Sequence, residues 1–98
     1  MRVCMTVLIP VEAGNQALNS GTLPKVMDQV MGQLNPEAAY FYAEDGQRCA
    51  HFYFDMQDSA DIPSICEPFF QEFNAKVTIS PAMNIEDLQN GLKKASFV

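Results

Sequence analysis

Residues 38–56 read AAYFYAEDGQRCAHFYFDM, two aromatic-rich runs on either side of the pair Asp45-Gly46. An Asp-Gly pair between alternating apolar residues is the strongest short-range signal for a β-hairpin with a two-residue turn. The pattern therefore predicts two antiparallel strands in which Glu44 pairs with Gln47. The same register then predicts the pairs Tyr42 with Cys49, Phe41 with Ala50 and Tyr40 with His51.

This register sorts the hairpin side chains onto two faces, because successive side chains of a strand point to opposite sides of the sheet. The first face is wholly apolar and holds Ala39, Phe41, Ala50, Phe52 and Phe54. The second is aromatic with polar tips and holds Tyr40, Tyr42, Cys49, Tyr53 and the single histidine, His51. We expect helices to cover the apolar face and a partner or ligand to meet the second.

The rest of the chain predicts two more strands and three helices. Residues 1–10 alternate in polarity and form a strand that Pro10 ends. Residues 11–21 are rich in Asn, Ser and Gly and predict a loop, with at most one helical turn near residues 16–18. Apolar residues then recur at helical spacing from Leu23 to Leu34 and predict a helix, which Asn35-Pro36 ends.

The second half of the chain repeats this alternation of helix and strand. A second stripe runs from Ile62 to Phe73, and we expect Pro68 to bend or interrupt that helix near residues 64–68. Residues 75–83 alternate as a fourth strand. Asn84 has the position of an N-cap for a short last helix, which Asn90-Gly91 would end.

The element order predicts an α+β fold, β-α-β-β-α-β with a short C-terminal helix, which is the ferredoxin-like pattern. Four strands form one antiparallel sheet, and both main helices cover the apolar face, in one domain over residues 1–98. The other face of the sheet would be left open, with Thr6, Tyr40, Tyr42, His51, Tyr53 and Thr78. An open face of this composition is typical of an interface or a ligand site.

Charge and cysteine content narrow the possible partners. The chain carries a formal charge of −6, which disfavours nucleic acid and anionic membrane surfaces, and it has no long apolar run. Three widely spaced cysteines match neither a disulfide framework nor a zinc site, so we expect reduced thiols, no metal site and a cytoplasmic location. Glycine spacing fits no phosphate-binding loop, and we expect no cofactor.

Several segments resemble the dimeric α/β-barrel superfamily, in which two ferredoxin-like sheets pack face to face. The similarity is to an uncharacterised small bacterial group within that superfamily and covers nearly the whole chain. It lies in the sequences PEAAYF at 36–41, DGQR at 45–48, EPFF at 67–70 and PAMNIEDL at 81–88. The resemblance implies a fold and a homodimer, and it implies no catalytic residue, because the superfamily shares no catalytic motif.

The candidate site residues are those of the open face, together with Arg48. His51 is a candidate general base or ligand-orienting group, or else an interface histidine bonded to Tyr40 or to backbone. Arg48 could bind an anionic ligand, or else pair with Glu44 or Asp45 at the end of the hairpin. The predicted ligand-binding residues are Thr6, Tyr40, Tyr42, Arg48, His51 and Tyr53.

Two functions follow from these residues. The first is a homodimer that binds a small molecule or a partner protein and performs no chemistry of its own, with any cavity near His51 and the tyrosines. The alternative is a cofactor-independent monooxygenase or isomerase that acts on a small aromatic or quinol-like compound between sheet and helices. The first is favoured, because the sequence shows no acid–base pair and no activated nucleophile.

Overall fold

A computed structural model describes residues 1–97 of the chain. Its strands are β1 (Arg2–Ile9), β2 (Ala38–Glu44), β3 (Gln47–Asp55) and β4 (Lys76–Pro81). Its α-helices are α1 (Val11–Asn19), α2 (Thr22–Leu34), α3 (Ile62–Phe73) and α4 (Ile85–Lys94), and a single 3₁₀ turn, Ser59–Asp61, precedes α3. Within the described residues, every helix is too short or too polar to cross a bilayer.

The four strands form one antiparallel sheet in the order β2-β3-β1-β4, which is the ferredoxin-like arrangement predicted from the element order. The hairpin register is confirmed at each predicted pair, from Glu44 with Gln47 to Tyr40 with His51. Asp45 and Gly46 have φ angles of 52° and 72°. Both values are positive, as a type I′ hairpin turn requires, and this turn holds the two strands in register.

One apolar core lies between the sheet and helices α1, α2 and α3. The side chains of Val3, Met5, Val7, Phe52 and Phe54 are buried on the sheet side, as the alternation predicted. Helices contribute Val26, Val30 and Leu34 from α2, and Ile65, Cys66, Phe69 and Phe73 from α3. The three phenylalanine rings of Phe52, Phe69 and Phe73 follow one another at centroid distances of 6.4 and 6.2 Å.

The prediction of a loop over residues 11–21 is wrong, because α1 occupies most of this segment. Gly14 and Asn15 are poor helix formers and indicated a loop. The helix forms nonetheless, since Gly14 and Ala17 are buried against the core and packing outweighs propensity. The predicted end of this segment is right: Gly21 has φ 82° and separates α1 from α2.

Two predicted helix ends also differ from the structure. Helix α3 continues through Pro68 to Phe73, so Pro68 does not interrupt it, and a bend near residues 64–68 stays a prediction. Buried side chains on both sides of the proline, Cys66 and Phe69 among them, hold the segment against the sheet. Helix α4 begins with the predicted Asn84 cap, bonded reciprocally with Asp87, but it passes Gly91 and ends at Lys94.

Phe41 is the exception on the helix-covered face of the sheet. It was expected to be buried under the helices with Phe52, yet its side chain is 57% exposed. Strand β2 is the edge of the sheet, and the helices do not extend over the part of it that carries Phe41. The edge of the core is therefore open beside the hairpin.

Candidate functional site

A cavity of about 700 Å³ lies where the core is open, between the turn end of the hairpin and the helices α1 and α2. Strand residues Ile9, Phe41, Ala43, Arg48 and Ala50 form its floor, and Val11, Leu23, Pro24 and Met27 contribute from the helical side. Apolar groups dominate this lining. The volume falls within the range of small-molecule sites, roughly 300–1,000 Å³.

Arg48 is the charged residue of this cavity. It follows Gln47 on β3 and shares a side of the sheet with Ala50 and Phe52, so its side chain extends toward the helices. Its Nη2 atom donates a hydrogen bond to Oδ1 of Asn15 on α1, at 3.0 Å. The alternative of a pair with Glu44 or Asp45 is wrong: within residues 1–97 Arg48 forms no ion pair.

Gly14 gives the Arg48 guanidinium room to lie against α1. A Cβ atom at position 14 would be 2.7 Å from Nη1 of Arg48 and 3.2 Å from Cγ2 of Ile9. Glycine inside a helix costs about 1 kcal/mol relative to alanine. Here glycine is needed because Arg48 of the sheet comes close to the helix at this position. The sequence pattern could not show this contact.

The open face of the sheet, on the side away from the core, carries Cys4, Thr6, Tyr40, Tyr42, His51 and Tyr53. The His51 ring is held from both nitrogens: Nδ1 is 3.0 Å from the hydroxyl of Thr6, and Nε2 is 3.0 Å from Sγ of Cys4 and 3.1 Å from the hydroxyl of Tyr53. These partners differ from the Tyr40 or backbone contact that was expected. Because both nitrogens have protein partners, proton transfer to a bound molecule would require one of these bonds to be exchanged.

The surroundings of two tyrosines raise the pKa of their hydroxyl groups. Electrostatic repulsion from the neighbouring Cys4 sulfur, followed by desolvation, raises the pKa of Tyr53 above its ordinary value. The pKa of Tyr42 is also raised, first by its hydrogen-bonding interaction with Cys49 and then by desolvation. Both hydroxyls therefore remain protonated donors throughout the neutral pH range.

The predicted site residues divide between the two sides of the sheet. Thr6, Tyr40, Tyr42, His51 and Tyr53 share the open face, where a groove of about 310 Å³ is lined by Thr6, Tyr42, His51 and their neighbours. Arg48 is on the opposite side, in the larger cavity, and Tyr42 at the sheet edge lines both. Sequence reasoning missed the contribution of α1 to the cavity, because residues 11–21 indicated a loop.

The described residues contain no group of three or more His, Cys, Asp or Glu side chains close enough to hold a metal ion. Cys4, Cys49 and Cys66 are free thiols.

Comparison with known proteins supports the fold. No protein-family model matches the chain, and no curated protein is significantly similar to it. Among solved structures, the chain is similar to the de novo designed protein Ferredog-Diesel, with a TM-score of 0.50 and 7% sequence identity. The match covers 83% of this chain and 85% of that one. At this identity the similarity shows a ferredoxin-like α+β fold and nothing about function.

Proposed function

We propose that the protein is a homodimer in which each protomer binds a small apolar molecule in the cavity between the hairpin and helices α1 and α2. The observation that carries this proposal is the cavity itself, a concave apolar volume of about 700 Å³ that the core leaves open. Binding sites for small molecules are typically concave, mostly apolar and supplied with a few fixed polar groups. Here Asn15 and Arg48, joined by a hydrogen bond, are such groups.

The open face supports the dimer. Tyr40 and Tyr42 are 62% and 45% exposed, beside half-buried His51 and Tyr53. Tyrosine is enriched at protein interfaces, because its ring is apolar and its hydroxyl can still be hydrogen-bonded. A second copy of the chain offers the same patch by two-fold symmetry, which is the usual symmetry of homodimers.

Helix α4 supports the same arrangement. All ten of its residues are exposed, including the stripe Ile85, Leu88 and Leu92. Asp87 in its first turn is 3.1 Å from Arg2, whose side chain is on the open face with Cys4 and Thr6. The helix thus starts beside the open face, and a partner protomer packed on that face would also reach the apolar stripe.

A cytoplasmic location is part of the proposal. The three unbridged thiols support a reducing compartment.

A single tryptophan tests the cavity, because the chain contains none of its own. Phe41→Trp places the fluorophore at the cavity, and Tyr40→Trp places it at the neighbouring residue on the open face. We expect phenylbutanamide, an uncharged compound with one ring, to change the emission of Phe41→Trp in a saturable way and to leave Tyr40→Trp unchanged. If neither this compound nor its charged analogues changed the Phe41→Trp emission or the amide chemical shifts of cavity residues, the proposal would be refuted.

A further inference from the structure

We propose that the natural ligand of the cavity is an apolar molecule with one carboxylate group, and that Arg48 binds the carboxylate. This inference rests on the proposed function, because it names the class of molecule that the cavity accepts. It is carried by the charge and geometry of the lining.

The charge of the lining is opposite to that of the chain. The protein contains 12 acidic and 6 basic residues, yet the residues that line the cavity in the described chain include no acid, and Arg48 is their single charge. A ligand anion would therefore meet one cation and no acidic residue in the described lining of the cavity. A net charge of −6 and one site cation favour a monoanion over a polyphosphate.

The position of the guanidinium suits a carboxylate. Nη2 donates a hydrogen bond to Asn15 at 3.0 Å, and this bond holds the guanidinium beside Gly14 of α1. Arginine has five N–H donors in a rigid fork that matches a carboxylate bidentately, so one hydrogen bond to an amide leaves most of them available. Charge-assisted bonds of this kind are about twice as strong as neutral ones.

The lack of an ion-pair partner for Arg48, in the part of the chain that the structure describes, supports an anionic ligand. Arg48 is half-buried, and no carboxylate of residues 1–97 lies within ion-pair distance of it. A cation that has no acidic partner among the described residues is available to form a charge-assisted hydrogen bond with an anionic ligand. The neighbouring apolar residues, Leu23, Met27 and Phe41, then contact the rest of that ligand.

The test compares two ligands that differ only in charge, phenylbutanoate and phenylbutanamide, titrated against the Phe41→Trp protein. We expect the carboxylate to bind roughly tenfold more tightly than the amide, as one charge-assisted hydrogen-bonded pair allows. In the same background Arg48→Gln should abolish this tenfold preference, because it should lower the affinity for the carboxylate much more than the affinity for the amide. Arg48→Lys should retain part of the preference, since it keeps the charge without the planar fork.

A matched control is Lys76→Gln, which removes one positive charge from the groove on the open face. It should leave the preference for carboxylate intact, whereas added salt should reduce that preference by screening. The inference would be overturned if the two compounds bound with equal affinity, or if Arg48→Gln lowered the affinity for both by the same factor. Either result would leave the proposed apolar site in place. Absence of binding by both would overturn the proposed function and this inference together.

Discussion

Phe41 and Phe52 lie edge to face across β2 and β3 with ring centroids 5.9 Å apart, yet Phe52 is fully buried and Phe41 is mostly exposed. The two residues are on the same side of the sheet, and they differ in whether a helix covers them. The boundary of the core therefore passes between neighbouring strands, and the candidate cavity begins at that boundary.

This boundary predicts different effects for the same substitution at the two positions. Phe52→Ala should lower the free energy of unfolding by about 3–5 kcal/mol, because it leaves a cavity in a packed core. Phe41→Ala is the matched control and should cost less than about 1.5 kcal/mol, since it removes mainly one aromatic pair. Urea unfolding of both variants measures the difference, and a similar loss at both positions would contradict the boundary described here.

The proposed dimer predicts that charges on the open face separate the protomers. Tyr40→Asp combined with Tyr53→Asp should produce a folded monomer, because the face would then place like charges opposite each other. Leu88→Asp in α4 should weaken the dimer, whereas Leu18→Asp, at an exposed position of α1, should not. Light scattering at micromolar concentration gives the mass of each variant.

A stable dimer should bury more than about 1,000 Å² in total. A wild-type protein with the mass of one chain would refute the proposed dimer. So would an unchanged dimer in the double tyrosine variant.

The shifted phenols predict a dependence of stability on alkaline pH. The pKa of Tyr53 is raised first by repulsion from the Cys4 sulfur, and that of Tyr42 first by its interaction with Cys49. The folded chain then holds these protons to a higher pH than the unfolded chain does. Stability from this source is complete below the unfolded-state pKa of about 10 and is lost as pH rises through the folded-state values.

Tyrosinate absorbance during an alkaline titration measures this directly. We expect Cys4→Ser to return the pKa of Tyr53 toward its ordinary value, because a serine hydroxyl does not ionise in this range. Cys66→Ser, whose thiol is in the core under α3, is the control and should leave the tyrosine titration unchanged. A wild-type curve identical to that of the unfolded chain would contradict the assignment.

Gly14 offers a way to move Arg48 without changing the charge of the protein. Gly14→Ala should displace the guanidinium from α1, since the new Cβ would lie 2.7 Å from Nη1. We expect it to reduce the preference for phenylbutanoate over phenylbutanamide. An unaltered preference in Gly14→Ala would show that the position of Arg48 against α1 is unimportant.

Gly32→Ala is the matched control for this substitution. Gly32 lies in α2, and a Cβ atom added there would meet no neighbouring group within 4 Å. The variant should leave ligand preference unchanged while stabilising the fold by about 1 kcal/mol, because alanine is the better helix former.

Much of the fold was predictable because its signals are local. The Asp45-Gly46 turn specifies the hairpin register, and the alternation in β1 specifies which of its side chains are buried. Asn84 and Asp87 identify the start of α4 from four adjacent residues. Each of these patterns depends on neighbours in sequence, and each is confirmed.

The parts that sequence did not predict depend on residues far apart in the chain. Gly14 indicated a loop from its local sequence. Its place in a helix is explained by Arg48, which is more than thirty positions later in the chain and lies beside it in the fold. Pro68 predicted an interruption of α3 from the local sequence. The continuation of the helix is explained by the buried residues on both sides of the proline. The exposure of Phe41 depends on where the helices end over an edge strand, which periodicity within β2 cannot reveal.

The sheet order has a consequence for the order in which the protein can fold. The central strand β1 comes first in the chain, but Met5 pairs with Phe52 on one side and Ile79 on the other. During synthesis β1 must therefore wait for both of its neighbours, while the β2–β3 hairpin can close as soon as it is made. Because pairings this distant require slow loop closure, we expect the hairpin to form first and the pairing of β4 with β1 to complete the sheet.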